Sequence, residues 1–500
     1  MHDQALQGEA LRFDNSYARL SEALFQRQSP HPVRAPELLR LNRPLAETLG
    51  LDPDACSDAE WAEVFAGNRL LPGMEPLAMA YAGHQFGNFV PQLGDGRALL
   101  LGEVIGRDGQ RRDLQLKGSG RTPFSRGGDG RAALGPVLRE YIVSEAMHAL
   151  GVPSTRALAA VRTGESVMRD RILPGGIVTR VARSHIRVGT FEYFAARRDQ
   201  DSVRLLADHV IQRHYPDAVE GDNAYLELLR AVARAQAELV AQWLGVGFIH
   251  GVMNTDNVSL AGETIDYGPC AFLDAYHPDT VFSSIDQHGR YAFGNQPRIA
   301  QWNLARFAEC LLPLIDGDEE RAIARATEAL EANADVLDVA WMGVMRAKLG
   351  LQQAEEGDKA LVQDLLALMR DQAADYTLAF RGLAEAVGAD GPEQAPALLE
   401  GFPEPQALTD WLLVWQRRLH AEAQPQASVQ ATMRARNPRY IPRNHRVEQA
   451  IAAAVDDGDL APFHRLVDVV CDPYTERSAA EYCATPPADH ERVTQTFCGT

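Results

Sequence analysis

Apolar positions recur at spacings of three and four along LELLRAVARAQAELVAQWLG, which predicts a long amphipathic helix over 223–246. The same texture predicts helices over 57–66, 133–150 and 203–214, with Gly151 stopping the second of them. Between 78 and 120 the pattern changes. Short β-type runs are separated by glycine-rich turns, and ALLLGEVI and RDLQLKG read as two strands of a hairpin joined by GRDGQ. Strand-like pieces return at 157–163, 166–169 and 177–183. Residues 1 to about 75 read as short helices and loops, broken early by Pro30, Pro32 and Pro36. Helices dominate again from 303 to about 390 and recur at 407–422 and 446–456, with 386–406 as a loop or linker.

The order is therefore a small β-rich part with one helix, then a larger helical part, with a compact polar loop directly after the long helix. That is the layout of an α+β, protein-kinase-like bilobal fold. The division it predicts is an N-terminal extension over 1–75, a nucleotide-binding N-lobe over 76–175 and a helical C-lobe over 176–400. A C-terminal helical extension over 401–500 follows.

Composition narrows the function. With 46% hydrophobic and 23% charged residues in 500, the chain is of ordinary globular type. It contains no apolar run of 18, so no membrane span is expected. The first twenty residues lack the basic and apolar regions of a secretory signal, which points to a cytoplasmic protein. A net charge of −19 argues against a nucleic-acid partner. Two stretches run against that sign, Arg156 to Arg213 and Arg434–Arg436–Arg439–Arg443–Arg446; each reads as a solvated face or as a contact for phosphate or an acidic partner. Six scattered cysteines form no CxxC pair, so a zinc ribbon is not expected and the thiols are read as mostly reduced. One feature is sharper. The chain holds three lysines against 46 arginines, and Lys117 is the only lysine before Lys348. A compact ammonium does what a planar guanidinium cannot, which singles out Lys117 as a candidate site residue.

The chemistry gathers around IHGVMNTDNVSLAGETIDYGP. His250 and Asn257 stand seven apart, as in the kinase catalytic loop, and Asp266-Tyr267-Gly268 reads as the D-F-G equivalent. Asn257 and Asp266 offer hard oxygen ligands for a cation bridging triphosphate oxygens; a structural Asn/Asp turn with a satisfied core histidine is the competing reading. The kinase catalytic Asp should stand two residues after the histidine, and that position is Val252. Asp256 is the nearest carboxylate that could replace it. Lys117 on its strand and Glu140 on the next helix, 23 residues on, match the kinase lysine–glutamate pair, with Glu145 as a competitor. Gly94, Gly96 and Arg97 form a turn that either approaches phosphate or is simply a β-turn. Asp129-Gly130 either caps the following helix or touches nucleotide. Arg180, Arg183 and Arg187 are either surface cations or a fork for phosphate oxygens.

The stretches YAGHQFG (81–87), QLGDGRA (92–98), LQLKGSGRTPFSR (114–126), DGRAAL (129–134), HGVMNTDN (250–257) and TIDYGP (264–269) resemble the selenoprotein O family, as do RNPRYIPRNHRVE and the terminal Cys-Gly-Thr. The resemblance runs over nearly the whole chain. It implies a kinase-like fold without the usual catalytic Asp, and a protein adenylyltransferase. Such an enzyme binds ATP in a flipped orientation and transfers AMP to Ser, Thr or Tyr hydroxyls of target proteins; some bacterial relatives use UTP with Mn²⁺. Carried over by motif, Gly94, Gly96, Arg97, Lys117, Asp129, Gly130, Arg180 and Arg187 contact nucleotide. Glu140 holds Lys117, Asn257 and Asp266 bind Mg²⁺ or Mn²⁺, and Asp256 is the proton acceptor. The family often carries a redox-active residue near its C-terminus, here Cys498. Its partner cysteine in some bacterial members is absent from VFSSIDQHGRY, leaving Cys270 as a substitute.

The physical logic agrees with adenylyl transfer. With the nucleotide reversed, Lys and Arg side chains grip the β- and γ-phosphates and stabilise the charge of departing pyrophosphate. The rivals are an ordinary protein kinase, which Val252 opposes, and a nucleotide-binding scaffold, which has no use for Lys117, Asn257 and Asp266. Target identity, ATP against UTP, Mg²⁺ against Mn²⁺ and oligomeric state are left open by the sequence.

Overall fold

The structure, a computed structural model, describes residues 11–388 and 395–497; Cys498 lies outside them. The strands are β1 (Phe25–Arg27), β2 (Glu37–Leu41), β3 (Leu77–Met79), β4 (Gly83–Gln85), β5 (Asn88–Val90), β6 (Ala98–Ile105), β7 (Arg111–Lys117), β8 (Ala132–Ala133), β9 (Arg156–Met168), β10 (Ile172–Ala182), β11 (Phe248–Ile249) and β12 (Ala271–Phe272). The helices that matter first are α1 (Arg43–Leu49), α2 (Asp58–Phe65), α3 (Leu134–Ala149), α4 (Val188–Ala195), α5 (Gln200–His214), α6 (Ala224–Val246), α7 (Gln296–Ile315) and α8 (Glu319–Lys348). Then follow α9 (Asp358–Asp371), α10 (Tyr376–Leu383), α11 (Pro396–Glu400), α12 (Pro405–Ala421), α13 (Gln426–Arg436), α14 (Asn444–Ala452), α15 (Ala461–Val470) and α16 (Glu481–Ala484).

The fold is mixed α/β. One antiparallel sheet runs in the order β1-β3-β6-β7-β10-β9-β2, with β8 attached to β10. Both faces are covered, and β6 and the first half of β9 are accordingly apolar almost without alternation. On one face Leu45 of α1 and Trp61 and Phe65 of α2 pack with Leu101, Leu116 and Val161. Burial of each such large side chain contributes about 1.5–3 kcal/mol. On the other face α3 lies against Ala160 and Val178, and α14 and α15 cover its back through Val447, Phe463 and Leu466. Sandwiched in this way, α3 buries polar Arg139, Glu140 and Glu145 as well as its apolar residues. The helical remainder packs α4–α8 around one core and α8–α13 around a second.

The hairpin of β6 and β7 and the helices near 58, 134, 200 and 224 stand where periodicity places them. Four differences have physical causes. The first 75 residues supply both edge strands, β1 and β2, which are too short for a periodic signal. The pieces at 157–163 and 166–169 are one strand, β9, bent where Gly164 takes φ +69° and the register to β10 slips. Helix α4, VGTFEYFA, is rich in β-branched and aromatic residues, and tertiary burial overrides that preference. The basic stretch near the C-terminus is largely taken up by acids of this chain: Arg443 is fully buried between Asp274 and Asp375, and Arg434, Arg439 and Arg446 meet Glu385, Glu481 and Glu491 nearer the surface.

Candidate active site

Strand β7 is short and buried, yet carries Asp113, Gln115 and Lys117 at every second position. Period two puts all three on one face, so the sheet presents a polar row to whatever covers it. Arg180 of β10 stands directly opposite Gln115, and its Nε donates to Gln115 Oε1 at 3.0 Å. Arg183, at odd spacing on the same chain, turns away; its Nη1 donates to the Ala261 carbonyl.

The covering wall is the loop of residues 250–269. His250 is 1% exposed and its Nε2 donates to the Ile265 carbonyl at 2.9 Å; burial lowers its pKa. It therefore acts as a neutral brace between the two limbs of the loop. Asp266 adopts φ +60°, a conformation costly for a residue with a side chain and often found where a site dictates the backbone. Its carboxylate meets three cations. Oδ1 accepts from Lys117 Nζ at 3.1 Å and Arg180 Nη1 at 2.6 Å, and Oδ2 accepts from Arg187 Nη1 at 2.9 Å. Burial opposes its ionisation, but Lys117, Arg180 and Arg187 together hold its pKa well below the usual range. Glu140 closes the network: Oε2 lies 2.7 Å from Lys117 Nζ and Oε1 lies 3.2 Å from Arg180 Nη1. Glu145, the sequence competitor, is occupied by Arg156 and Asn42 instead.

Between these walls lies a cleft of about 390 Å³. Of the residues singled out by sequence, Gly96, Arg97, Lys117, Glu140, Arg180, Arg187, Val252, Asp256, Asn257 and Asp266 line it. Gly94, Asp129 and Gly130 do not. Gly94 (φ +70°) lies under Phe124, where a Cβ would come within 2.3 Å of the ring, so its smallness serves the packing of two loops. Asp129 faces outward, pairs with Arg169 at 2.9 Å and accepts from the Arg131 amide; it neither caps α3 nor reaches the cleft. Gly130 packs against the backbone of Gly120, which leaves no room for a Cβ.

Asp256 is set apart electrostatically. It is 8% exposed, its Oδ1 is shielded without a hydrogen-bond partner among the described residues, and its Oδ2 accepts from Gln85 Nε2 at 3.4 Å. Burial pushes its pKa up to about 7, against the pull of Arg187. A carboxylate poised there can accept a proton near neutral pH. Asn257 donates from Nδ2 to the Val252 carbonyl at 2.9 Å, which leaves its Oδ1 available as a ligand.

Among the described residues no group of three His, Cys, Asp or Glu could by itself hold a metal. The donors present are an amide oxygen and one or two carboxylates beside a cationic cleft. That set fits a hard divalent ion completed by substrate phosphates and water, not a closed protein cage. The three cations on Asp266 use three of its roughly four lone-pair sites.

Several residues in and behind the cleft wall escaped sequence reading by chemistry. Gln115 and Asp95 are buried polar groups on apolar strands and turns, and burial raises the Asp95 pKa to about 6. Tyr81, Phe86 and Asn254 complete the wall, the Arg187 guanidinium lying 4.5 Å from the Tyr81 ring centroid. The available signals were the polar alternation on β7 and, for the aromatics, the YAGHQFG stretch of the family resemblance.

A sequence model of the family described as "Protein adenylyltransferase SelO" matches residues 8–471. The chain is 60% identical over 488 residues to a "Protein nucleotidyltransferase YdiU" of Rhodopseudomonas palustris (strain BisB18), covering 98% of this chain and 99% of that protein. Proteins of the same description from Methylorubrum populi and Rhizobium rhizogenes are 59% and 57% identical, covering 98% and 100% of this chain and 99% of each relative. A match of that length, over the segments that build the cleft, makes this chain a nucleotidyltransferase of the SelO protein adenylyltransferase family.

Proposed function

We propose that the cleft binds ATP, or UTP, in the flipped orientation and transfers AMP or UMP to Ser, Thr or Tyr hydroxyls of target proteins. The observation that carries this is the convergence of Lys117, Arg180 and Arg187 on Asp266 while Val252 stands where a kinase has its catalytic Asp. In this reading the architecture is a kinase-like bilobal fold. Residues 76–175, with α3 and most of the sheet, form the nucleotide lobe, 176–400 the helical lobe, and 1–75 and 401–500 are extensions, the sheet taking its edge strands β1 and β2 from 1–75 and running on in β10 to Ala182. Lys117, Arg180, Arg187 and Arg97 hold the β- and γ-phosphates, and Gly96 lets the backbone approach them. Glu140 keeps Lys117 aimed. Asp256 accepts the proton of the acceptor hydroxyl as its oxygen forms a bond to the α-phosphorus and the bond to the pyrophosphate oxygen breaks. Positive side chains fixed beside the leaving group supply charge stabilisation without reorganisation.

Asn257 and Asp266 would hold Mg²⁺ or Mn²⁺. Such an ion neutralises phosphate charge and orients the triphosphate. Among the described residues no helix is long and apolar enough to cross a membrane, and the cytoplasm, which supplies nucleotide and targets, is the proposed compartment. ATP labelled at the α- or the γ-phosphate tests the reading. Label from the α-position alone on protein supports it; label from the γ-position means phosphorylation and overturns it.

A further inference from the structure

The loop that carries Asp256 is held on one side by the hairpin of β4 and β5. The His84 amide donates to Thr255 Oγ1 at 2.7 Å, Gln85 Nε2 reaches Asp256 Oδ2 at 3.4 Å, and the Phe86 amide donates to Asn254 Oδ1 at 3.0 Å. Three consecutive residues of the hairpin thus hold three consecutive residues of the loop. The approach is close. A Cβ added at Gly83 would come within 2.5 Å of Asp256 Oδ1, which leaves Oδ2 as the oxygen to meet an acceptor hydroxyl. A Cβ added at Gly189, in the first turn of α4, would lie 3.3 Å from the Asp256 α-carbon. Phe86 takes φ +51°, a costly conformation for an aromatic residue. Such strain persists only where the surroundings over-determine it.

From behind, the loop is held by Glu192 of α4. This carboxylate is 4% exposed and is not among the residues lining the cleft. Its Oε2 accepts from the hydroxyl of Thr255, and its Oε1 accepts from His84 Nδ1 at 2.5 Å. Thr255 is fully buried, and its one hydroxyl both accepts from the hairpin and donates to α4. The His84 ring is in turn fixed edge-on against Trp302 of α7, with 5.3 Å between centroids. A carboxylate buried this deeply is costly unless hydrogen bonds compensate it. What those bonds join is the hairpin, α4 and the residue before Asp256.

We propose that Glu192 and Thr255 are positioning residues for transfer. Tied to the hairpin and to α4 through the Thr255 hydroxyl, the loop presents Asp256 to the acceptor hydroxyl at the angle that proton transfer needs. This rests on the transferase reading above. Neither side chain touches nucleotide or acceptor; each acts through the place it gives Asp256.

The test compares Thr255→Val, which keeps the shape and removes the hydroxyl, with Thr255→Ser, which keeps the hydroxyl. Transfer from α-labelled ATP to a mixture of Ser-, Thr- and Tyr-containing peptides gives turnover. Calorimetric titration gives ATP affinity and counts the folded sites. Thr255→Val should lower kcat by about ten- to a hundredfold with ATP affinity kept, as a displacement of about 1 Å at a reacting group does. Thr255→Ser should recover most of the loss. Glu192→Gln should fall between the two, because an amide oxygen still accepts from the hydroxyl. In an Asp256→Asn background Thr255→Val should cost nothing more, since residues that act as one unit are not additive. A further loss in that background, or ATP affinity falling in step with turnover, overturns the proposal and leaves the transferase reading intact. Hydrogen exchange over 82–90 and 252–258 follows the clamp without any need of transfer. Faster exchange in Thr255→Val, with no α-label on any peptide from the wild-type protein, supports the clamp and overturns the transferase reading. Unchanged exchange overturns the clamp.

Discussion

Gln115 and Arg180 face each other across the β7–β10 ladder, and the side chain of one orients the other: Gln115 Oε1 accepts from Arg180 Nε at 3.0 Å and also from Nη2. Arg180 Nη1 is thereby aimed at Asp266 and Glu140. A neutral amide is suited to this, because Asp266 and Glu140 already set two carboxylates against Lys117, Arg180 and Arg187, and a third would cancel the net positive charge left for phosphate. Gln115→Met keeps the volume and removes the acceptor. A charged donor left buried without its partner costs about 1.5–3 kcal/mol, so thermal stability and ATP affinity should fall together. Calorimetric titration and a melting curve of the variant check both; unchanged affinity would mean that Arg180 is positioned without Gln115.

Lys117 is held 2.7 Å from Glu140 and 3.1 Å from Asp266, a fit for a compact ammonium. Arginine at this position keeps the charge but needs more space than the two carboxylates leave. Lys117→Arg should lose transfer nearly as fully as Lys117→Ala, by roughly ten- to a hundredfold. Glu140→Gln should be milder, since an amide oxygen can still accept from the ammonium. Rates at saturating nucleotide decide this, and a fully active Lys117→Arg enzyme would contradict it.

Asp256 and Asp266 stand in one cleft with opposite titration behaviour, the first raised to about 7 by burial and the second held low by its three cations. Environments that push two carboxylates apart assign them different roles. Asp256→Asn should lower turnover by about 10²- to 10⁴-fold with ATP affinity nearly kept. Asp266→Asn should abolish metal-dependent nucleotide binding itself. Were Asp256→Asn to weaken binding while turnover survived, Asp256 would belong to the phosphate site instead.

What the sequence made legible was set by how local each cause is. Lys117, Asn257 and Asp266 stood out because strand, loop and spacing are written within a few residues. Glu140 could be separated from Glu145 only weakly, since both lie on one helix; their partners, Lys117 and Arg156, are fixed by how α3 packs on the sheet. Asp129-Gly130 left a cap and a nucleotide contact open; the cap position of α3 is Ala133, and Arg169, forty residues on, pairs with Asp129, which no local pattern announces. The role of α14 and α15 in burying α3 was not legible, because no local pattern says which helix a distant one will cover. Lysine scarcity pointed correctly to the cleft for Lys117, yet it marks Lys348 equally, and Lys348 lies far outside that site.

Lys348 ends α8 in the second helical core, 4% exposed, with its ammonium 4.3 Å from the Phe380 ring centroid and 5.5 Å from that of Tyr376. Burial lowers its pKa from 10.5 to about 7. The depressed value means that between about pH 7 and 10.5 the unfolded chain binds a proton that the folded chain does not. Stability contributed by this site therefore rises with pH through that window. Below pH 7 both states carry the charge and the full cost of burying it is present; above 10.5 neither does and the cost is gone. The two rings recover part of it through cation–π attraction. Lys348→Met keeps the length and apolar stem and removes the ionisable group. It should stabilise the protein by about 1–4 kcal/mol at pH 7, the range found when buried charge is replaced by a well-packed apolar side chain. The gain should shrink as pH rises towards 10, because the cost of removing the proton from the wild-type amine on folding falls as pH approaches the unfolded value of 10.5. Urea unfolding of both proteins at pH 6.5, 8 and 9.5 measures the difference directly, so other titrating groups cancel. A constant gain across that range would show that the lysine stays protonated in the folded state as it does in the unfolded one, and no gain at any pH would show that the aromatic pair fully offsets its burial.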